Sequence, residues 1–359
     1  MAKGGYIGIN GIARKLKKAY IGVGGVARKV KKAYIGIGGI ARVLFGGGEI
    51  KYVGTVDTPK CYGKGSAIHG WNSKYGFLGR GGTVNNDPIV PIDSNLTIIT
   101  NSLSINPSYK ASGSFNDNFI YPYSTKILTR VNTSLTKTNI SNAASHGITS
   151  STRLTSVPSY LLIGPEGWIS PSWYSTIQAI NKSWTKLSST YGSHGSHAYS
   201  VGKTKTKGFF LGGYHDTTGS SATVTMLNDS LTNTTVDSLS TSRRQMIDCW
   251  TDEYTFVAGG YHYTGSTTGT WTKDINAFND SGTRVLATTW GTYNTWSEGS
   301  TLMESCGEEF AILFGGTENS GTQTSGVRAR NTATILDGKF TKSVVNIGEY
   351  AWGGGCTRV

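Results

Sequence analysis

Hydrophobic and polar positions follow two different rhythms along this chain. From Tyr6 to Phe45 a 14-residue unit recurs as YIGINGIARKLKKA, YIGVGGVARKVKKA and YIGIGGIARVLF. Each copy has an apolar run, then Asn10-Gly11, Gly24-Gly25 or Gly38-Gly39, then a second β-branched residue. That pattern predicts three hairpins with two-residue turns, because a type I′ turn needs positive φ at both central positions. Ile12, Leu16 and Tyr20 also fall at i, i+4 and i+8, so a basic amphipathic helix is the competing reading. Either way, so small a unit can bury its apolar side only against its neighbours or a partner.

From residue 50 onward the rhythm is longer. Aromatic-aliphatic runs, often ending in glycine, recur at Phe77-Leu-Gly79, Phe119-Ile-Tyr121, Leu161-Leu-Ile163, Phe209-Phe-Leu211, Phe256-Val-Ala258 and Ile312-Leu-Phe314, at spacings of 42 to 56 residues. Each is followed by a polar corner, beginning at Asp93, Asn132, Asn181, Asn228, Asn279 and Asp337 and closing on threonine four residues later. Asn or Asp at the head of such a segment turns the chain by bonding its side chain to the backbone ahead. Two landmarks in phase six times predict six β units, each of a size suited to a propeller blade. The expected architecture is all-β: a hairpin-repeat module over 1–48 and a β-propeller over 49–359, six-bladed with seven blades as the alternative. The strand-like Glu49–Thr55 and Gly353–Val359 are suited to closing the ring by pairing in one blade.

Composition agrees with many short strands, with 49 glycines and only 15% charged residues, since glycine supplies turn corners. The net charge of +13 looks like that of a nucleic-acid binder until it is located. Ten cations and no acid fall within residues 1–48, which leaves only +3 for the rest of the chain. The basic character therefore belongs to the repeat. Its lysines read as a solvated face guarding open β-edges, as a surface for docking on an acidic protein, or least favourably as a nucleic-acid contact, because the repeat lacks a recognition helix and stacking groups suited to bases. No stretch reaches the roughly 18 to 20 apolar residues of a membrane span, and no signal peptide is evident, so synthesis in the cytoplasm is expected. Cys61, Cys249, Cys306 and Cys356 lack C-x-x-C spacing and read as small buried thiols.

The tandem YIGVGGVARKVKKA copies resemble the N-terminal segments of structural proteins from phages and prophages of Gram-positive gut bacteria. The resemblance covers about an eighth of the chain. It implies virion assembly, with other virion proteins as partners through residues 1–48, and makes Tyr6, Arg14, Tyr20, Arg28, Lys29, Tyr34 and Arg42 the anchoring candidates. The spans Gly70–Gly81 and Cys249–Gly260 resemble kelch blades, although a clean Gly-Gly occurs only in the last three units.

Aromatic residues in Gly/Ser/Thr-rich connections are candidates for stacking on sugars or meeting a protein, because loops on a rigid scaffold carry recognition. These are Trp168, Trp173, Tyr174, Tyr261, Tyr263, Trp290 and Trp296. Core packing is the competing reading for each. His194-Gly-Ser-His197 reads as a polar loop rather than half a metal site, because no acid lies nearby in sequence. His215 and His262 follow matching Gly-Gly-Tyr motifs, so repetition accounts for them. A propeller hydrolase of the sialidase type would need several of Arg80, Arg130, Arg153, Arg243, Arg244, Arg284 and Arg328 in one cluster. The expectation is a non-enzymatic virion protein without cofactor or metal. Its propeller meets a host-surface glycan or protein as part of a tail fibre, tail tip or baseplate; a homo-oligomer is possible. Capsid decoration or head fibre, and glycan hydrolase, are the rivals.

Overall fold

The computed structural model describes the backbone of the strands between Tyr6 and Phe45, residues 66–81 and 90–92, most of 112–289, and strands between Thr295 and Ala351. Side chains are described for 72–77, for Pro91 and Ile99, and for most of 112–289. Contacts divide the chain into two units, Met1–Val53 and Gly54–Val359. All described regular structure is β, and every named strand pairing is antiparallel.

In the first unit, Tyr6–Ile9 pairs with Ile12–Lys15, Ala19–Val23 with Val26–Val30, and Ala33–Ile37 with Ile40–Phe45. The innermost pairs Ile9↔Ile12, Val23↔Val26 and Ile37↔Ile40 enclose two residues each. Strands Ile12–Lys15 and Ala19–Val23 occupy the stretch that the alternative reading assigns to a helix.

The second unit is a succession of sheets. Sheet I holds Ser66–Trp71, Gly76–Gly81 and Val90–Ile92. Sheet II holds Gly113–Phe115, Asn118–Ser124, Ile127–Val131 and Lys137–Ile140. Sheet III holds Leu154–Val157, Tyr160–Ile163 and Gln178–Asn181. Sheet IV holds Ser200–Lys203, Gly208–Leu211, Val224–Leu227 and Asn233–Thr235. Sheet V holds Ile247–Trp250, Tyr254–Ala258, Asp274–Asn279 and Arg284–Thr289. Sheet VI joins Thr295–Trp296, Phe310–Phe314, Thr317–Asn319, Val327–Asp337 and Lys342–Ala351. In sheets I to V each strand pairs with the next of its sheet in chain order. The first strands of sheets I to V lie beside one another in turn, and that of sheet V lies beside Phe310–Phe314, an arrangement of the propeller type.

This arrangement explains the unbroken apolar runs in the second strands. A strand's side chains alternate between faces, and here both faces are covered by neighbouring sheets. Phe119 and Tyr121 pack with Phe77 of sheet I, whereas Ile120 packs with Leu154, Leu161 and Ile163 of sheet III. Leu162 and Phe210 share the layer between sheets III and IV, while Phe209 and Leu211 join Val257 and Phe278 between IV and V. Glycine enters where backbones crowd: a Cβ at Gly202, on the first strand of sheet IV, would collide with the hydroxyl of Thr255.

The polar corners fold alike in sheets II to V. The Asn Oδ1 accepts from the residue four ahead at Asn132 (Thr136, 2.9 Å), Asn181 (Thr185, 3.0 Å), Asn228 (Thr232, 2.9 Å) and Asn279 (Thr283, 3.0 Å). The residue before each threonine takes positive φ: Leu135 at 59°, Trp184 at 64°, Leu231 at 58° and Gly282 at 79°. The corner beginning at Asp93 lies outside the described residues, and that beginning at Asp337 extends beyond them.

The corners also join sheets, which turn chemistry does not foretell. Asp229, next to Asn228, accepts from Ser159 N (2.6 Å) and Ser159 Oγ (2.8 Å) in the first turn of sheet III. Asp280, next to Asn279, accepts from Thr204 Oγ1 and from Thr206 Oγ1 (2.7 Å) in the first turn of sheet IV. At the corresponding place in sheet III, the Lys182 carbonyl accepts from Asn116 Nδ2 of sheet II (3.3 Å). Each sheet from II to IV is thus fastened to the corner of the next.

Candidate functional site

Chain direction separates two sides of the sheets. Turns between first and second strands, and the Asn corners, lie at one end. The connections between second and third strands lie at the other, and three of these are extended by small two-stranded arms. The arm of sheet III pairs Gly167–Ile169 with Ser172–Tyr174. That of sheet IV pairs Tyr214–His215 with Gly219–Ser220, and that of sheet V pairs Tyr261–Tyr263 with Gly269–Trp271.

Five of the seven aromatic candidates fall on these arms. Trp168 and Trp173 are direct cross-strand partners, and Tyr174, half-buried, stands opposite Gly167. Trp296 lies on Thr295–Trp296, paired with Thr317 just beyond the second strand of sheet VI. Trp290 lies outside the described residues. Tyr261 and Tyr263 belong to the arm of sheet V, but they differ in exposure: Tyr261 is buried, and Tyr263 is half-buried. Burial pushes the Tyr261 phenol up, helped by Tyr263 and opposed by Arg244. Tyr261 therefore supports the arm rather than presenting a surface.

The arms of sheets IV and V are locked together by Arg244, from the connection between these sheets. Its guanidinium carbon lies 4.6 Å from the ring centres of both Tyr214 and Tyr263 and 5.9 Å from that of Tyr261. Its Nη2 donates to Tyr263 Oη at 2.6 Å, and its backbone bridges to Tyr261. Ser220 Oγ of one arm donates to the Tyr261 carbonyl (3.2 Å) and accepts from Tyr263 N (3.0 Å) of the other. A cation flanked by electron-rich rings is favourable, and more so when partly desolvated. His262 is tied down too, its Nδ1–H donating to the Ser242 carbonyl at 2.6 Å.

The preceding residue works inward. Arg243 is fully buried and donates to the Asp274 carbonyl (2.8 Å) and Asn276 Oδ1 (2.9 Å) of sheet V. Its backbone accepts from Gly213 N and donates to the Ser221 carbonyl beside the arm of sheet IV. Burial lowers its pKa to about 10, against the opposing influence of Asp274. Of the other arginine candidates, Arg130 stacks on Trp184 (4.6 Å), Arg153 donates to the Thr152 carbonyl, and Arg284 donates to the Ser238 carbonyl, while the side chains of Arg80 and Arg328 lie outside the described residues.

Along the first strands of sheets II to V, Ser114, Ser156, Lys203, Asp248 and Trp250 line a small cavity. Lys203 Nζ donates to Ser156 Oγ (3.1 Å) and sits 4.3 Å from the Trp250 ring, and Ser156 Oγ donates to the Ser114 carbonyl (3.1 Å). The space suits about one or two waters rather than a substrate.

His194 lies in a loop, as expected, but its ring does not face solvent. It lies outside strands but is fully buried, its Nε2–H donating to the Gly212 carbonyl (2.7 Å) and Nδ1 accepting from Thr225 Oγ1 (3.1 Å). Since a carbonyl can only accept, Nε2 carries a proton, and in the neutral ring that burial favours Nδ1 is the acceptor. Burial lowers its pKa to about 4, partly offset by the Gly212 bond. His197 lies outside the described residues. Among the described residues no group of three His, Cys, Asp or Glu could hold a metal. Cys249 is a buried free thiol pushed well up by burial and by neighbouring Asp248.

The anchoring candidates take equivalent register positions. Arg14, Arg28 and Arg42 stand opposite Ile7, Ile21 and Ile35, while Tyr6 and Tyr20 stand opposite Lys15 and Lys29. Tyr34 stands opposite Val43.

No family model matches this sequence, and no curated protein matches it. Among solved structures, one described as "Structure of YjhT" aligns with a TM-score of 0.57 over 82% of this chain and 100% of its own, at 10% identity. That likeness is one of fold.

Proposed function

We propose that this is a non-enzymatic virion structural protein of a phage or phage-like particle, anchored through residues 1–48 and displaying a six-bladed, kelch-like propeller for host-surface attachment. The single observation that carries the attachment role is that the sheets direct their aromatic arms to one side, with those of sheets IV and V fixed in advance by Arg244. Rigid aromatic groups bind at low conformational cost, because little ordering remains to be done on contact. Arg243 and Arg244 are both engaged by neighbouring side chains and carbonyls, which fits a structural use of these two cations. Six successive sheets and six sequence units support six blades. The anchoring role rests on the resemblance of the repeats and on ten cations without an acid in residues 1–48, a charge suited to an acidic virion surface.

Competition for adsorption tests attachment directly. Purified full-length protein, added to host cells before the particles, is expected to reduce adsorption in a dose-dependent way without releasing sugar from the cells. Undiminished adsorption at saturating protein would count against host attachment, and sugar release would favour the hydrolase.

A further inference from the structure

The register of the three hairpins sorts their residues onto two faces, because residues directly opposite one another share a face and successive residues alternate. In the first hairpin Ile7, Ile9, Ile12 and Arg14 share a face. In the second the same positions are Ile21, Val23, Val26 and Arg28, and in the third Ile35, Ile37, Ile40 and Arg42. Each hairpin therefore has one face on which a single arginine keeps company with three β-branched aliphatic residues.

The other cations follow no such rule. Lys15 and Lys29 share the opposite face with Tyr6 and Tyr20, and Lys17, Lys18, Lys31 and Lys32 fall between hairpins. The third copy has no lysine at all, with Val43 opposite Tyr34, yet it keeps Arg42 at the same register position. Arginine is thus the cation common to all three units.

Each hairpin is a sheet of its own, and a lone two-stranded sheet is marginal in water, so an aliphatic face gains by being covered. Another hairpin of this kind is a poor cover. Residues 1–48 contain no acid, and enclosing arginine against arginine leaves both charges uncompensated. The larger unit is a poor cover too, because its described carboxylates are largely committed: Asp117, Asp229, Asp237, Asp274 and Asp280 are bonded within it, and Asp248 is buried. A phosphate backbone would be met as well by lysine and has no use for aliphatic neighbours. Arginine beside apolar residues is instead the composition of a protein interface core, from which lysine is depleted.

We propose that the arginine-bearing face of each hairpin docks on another virion protein, against an aliphatic surface that supplies one carboxylate per arginine. The lysines add general attraction. This inference names the partner's chemistry for the anchoring role proposed above and rests on that role.

The test uses full-length protein assembled into particles, with the photocrosslinker benzoylphenylalanine placed at Arg28 or at Lys29; the two unaltered hairpins keep such a protein on the particle. The expected result is crosslinking from position 28 to a different virion protein, within a peptide that bears Asp or Glu, and little crosslinking from position 29. In particles complemented with variants, Arg14→Gln, Arg28→Gln and Arg42→Gln together are expected to cut incorporation about tenfold. Changing Lys15, Lys17, Lys18, Lys29, Lys31 and Lys32 to Gln, a larger loss of charge, is expected to cut it less than about threefold. Crosslinks chiefly from position 29, or a lysine variant lost as fully as the arginine variant, would overturn the face while leaving anchoring intact. Crosslinks from position 28 to a second copy or to residues 49–359 would overturn the partner. Wild-type protein absent from purified particles would remove the anchoring role itself.

Discussion

His194 stays neutral because full burial denies an imidazolium the water it would need, while the neutral ring is already bonded to the Gly212 carbonyl and the Thr225 hydroxyl. Its pKa of about 4 in the fold lies below the 6.5 of an unfolded chain, so between these values the unfolded state holds more protons. The associated stability is fully present above pH 6.5, falls as pH drops toward 4 and changes little below. The loss is on the order of 3 kcal/mol. Urea unfolding from pH 7 to pH 4 is expected to show the wild type losing about this much more stability than His194→Gln. Parallel pH profiles would mean that the histidine is not neutral in the fold. Arg244 shows a different use of charge: stacking and a single hydrogen bond hold it, while its Nε is buried with no partner. Arg244→Ala is expected to speed amide exchange in residues 214–220 and 261–271 while leaving the sheet V strands protected. Loss of protection throughout sheet V would make this arginine a general support of the fold.

At the scale of elements, the Asn corners repeat because one side-chain oxygen sets the turn, and this was legible from sequence. Their role between sheets was not, because Asp229 and Asp280 bond hydroxyls 70 and 76 residues upstream. A turn is a local event, whereas a fastening between sheets needs the sheets to be assembled. Asp229→Ala and Asp280→Ala are each expected to cost about 1–3 kcal/mol. The double variant is expected to show nearly the sum, because the two sites share no partner. A double variant no worse than either single would indicate that both changes open one common interface. The apolar second strands were likewise legible as strands, but not the alternation by which Leu161 and Ile163 face sheet II while Leu162 faces sheet IV. On the arms, sequence marked Tyr261 and Tyr263 equally. Which of them is buried depends on Arg244 and on the sheet IV arm, and no local pattern encodes that.

At the scale of the whole molecule, the two units differ in charge. Residues 1–48 hold ten cations, no acids and three near-identical hairpin sequences; the larger unit is close to neutral and carries its aromatic arms on one side. The proposed anchor with a displayed binding face accounts for both. The likeness to YjhT extends over 82% of the chain at 10% identity; this fold supports many functions, so the site must carry the assignment. Immunogold electron microscopy of intact particles, with antibody raised against residues 54–359, tests the central claim most directly. Label concentrated at the tail end is the expected result; label distributed over the head would contradict host attachment by a tail component and make the protein a capsid decoration.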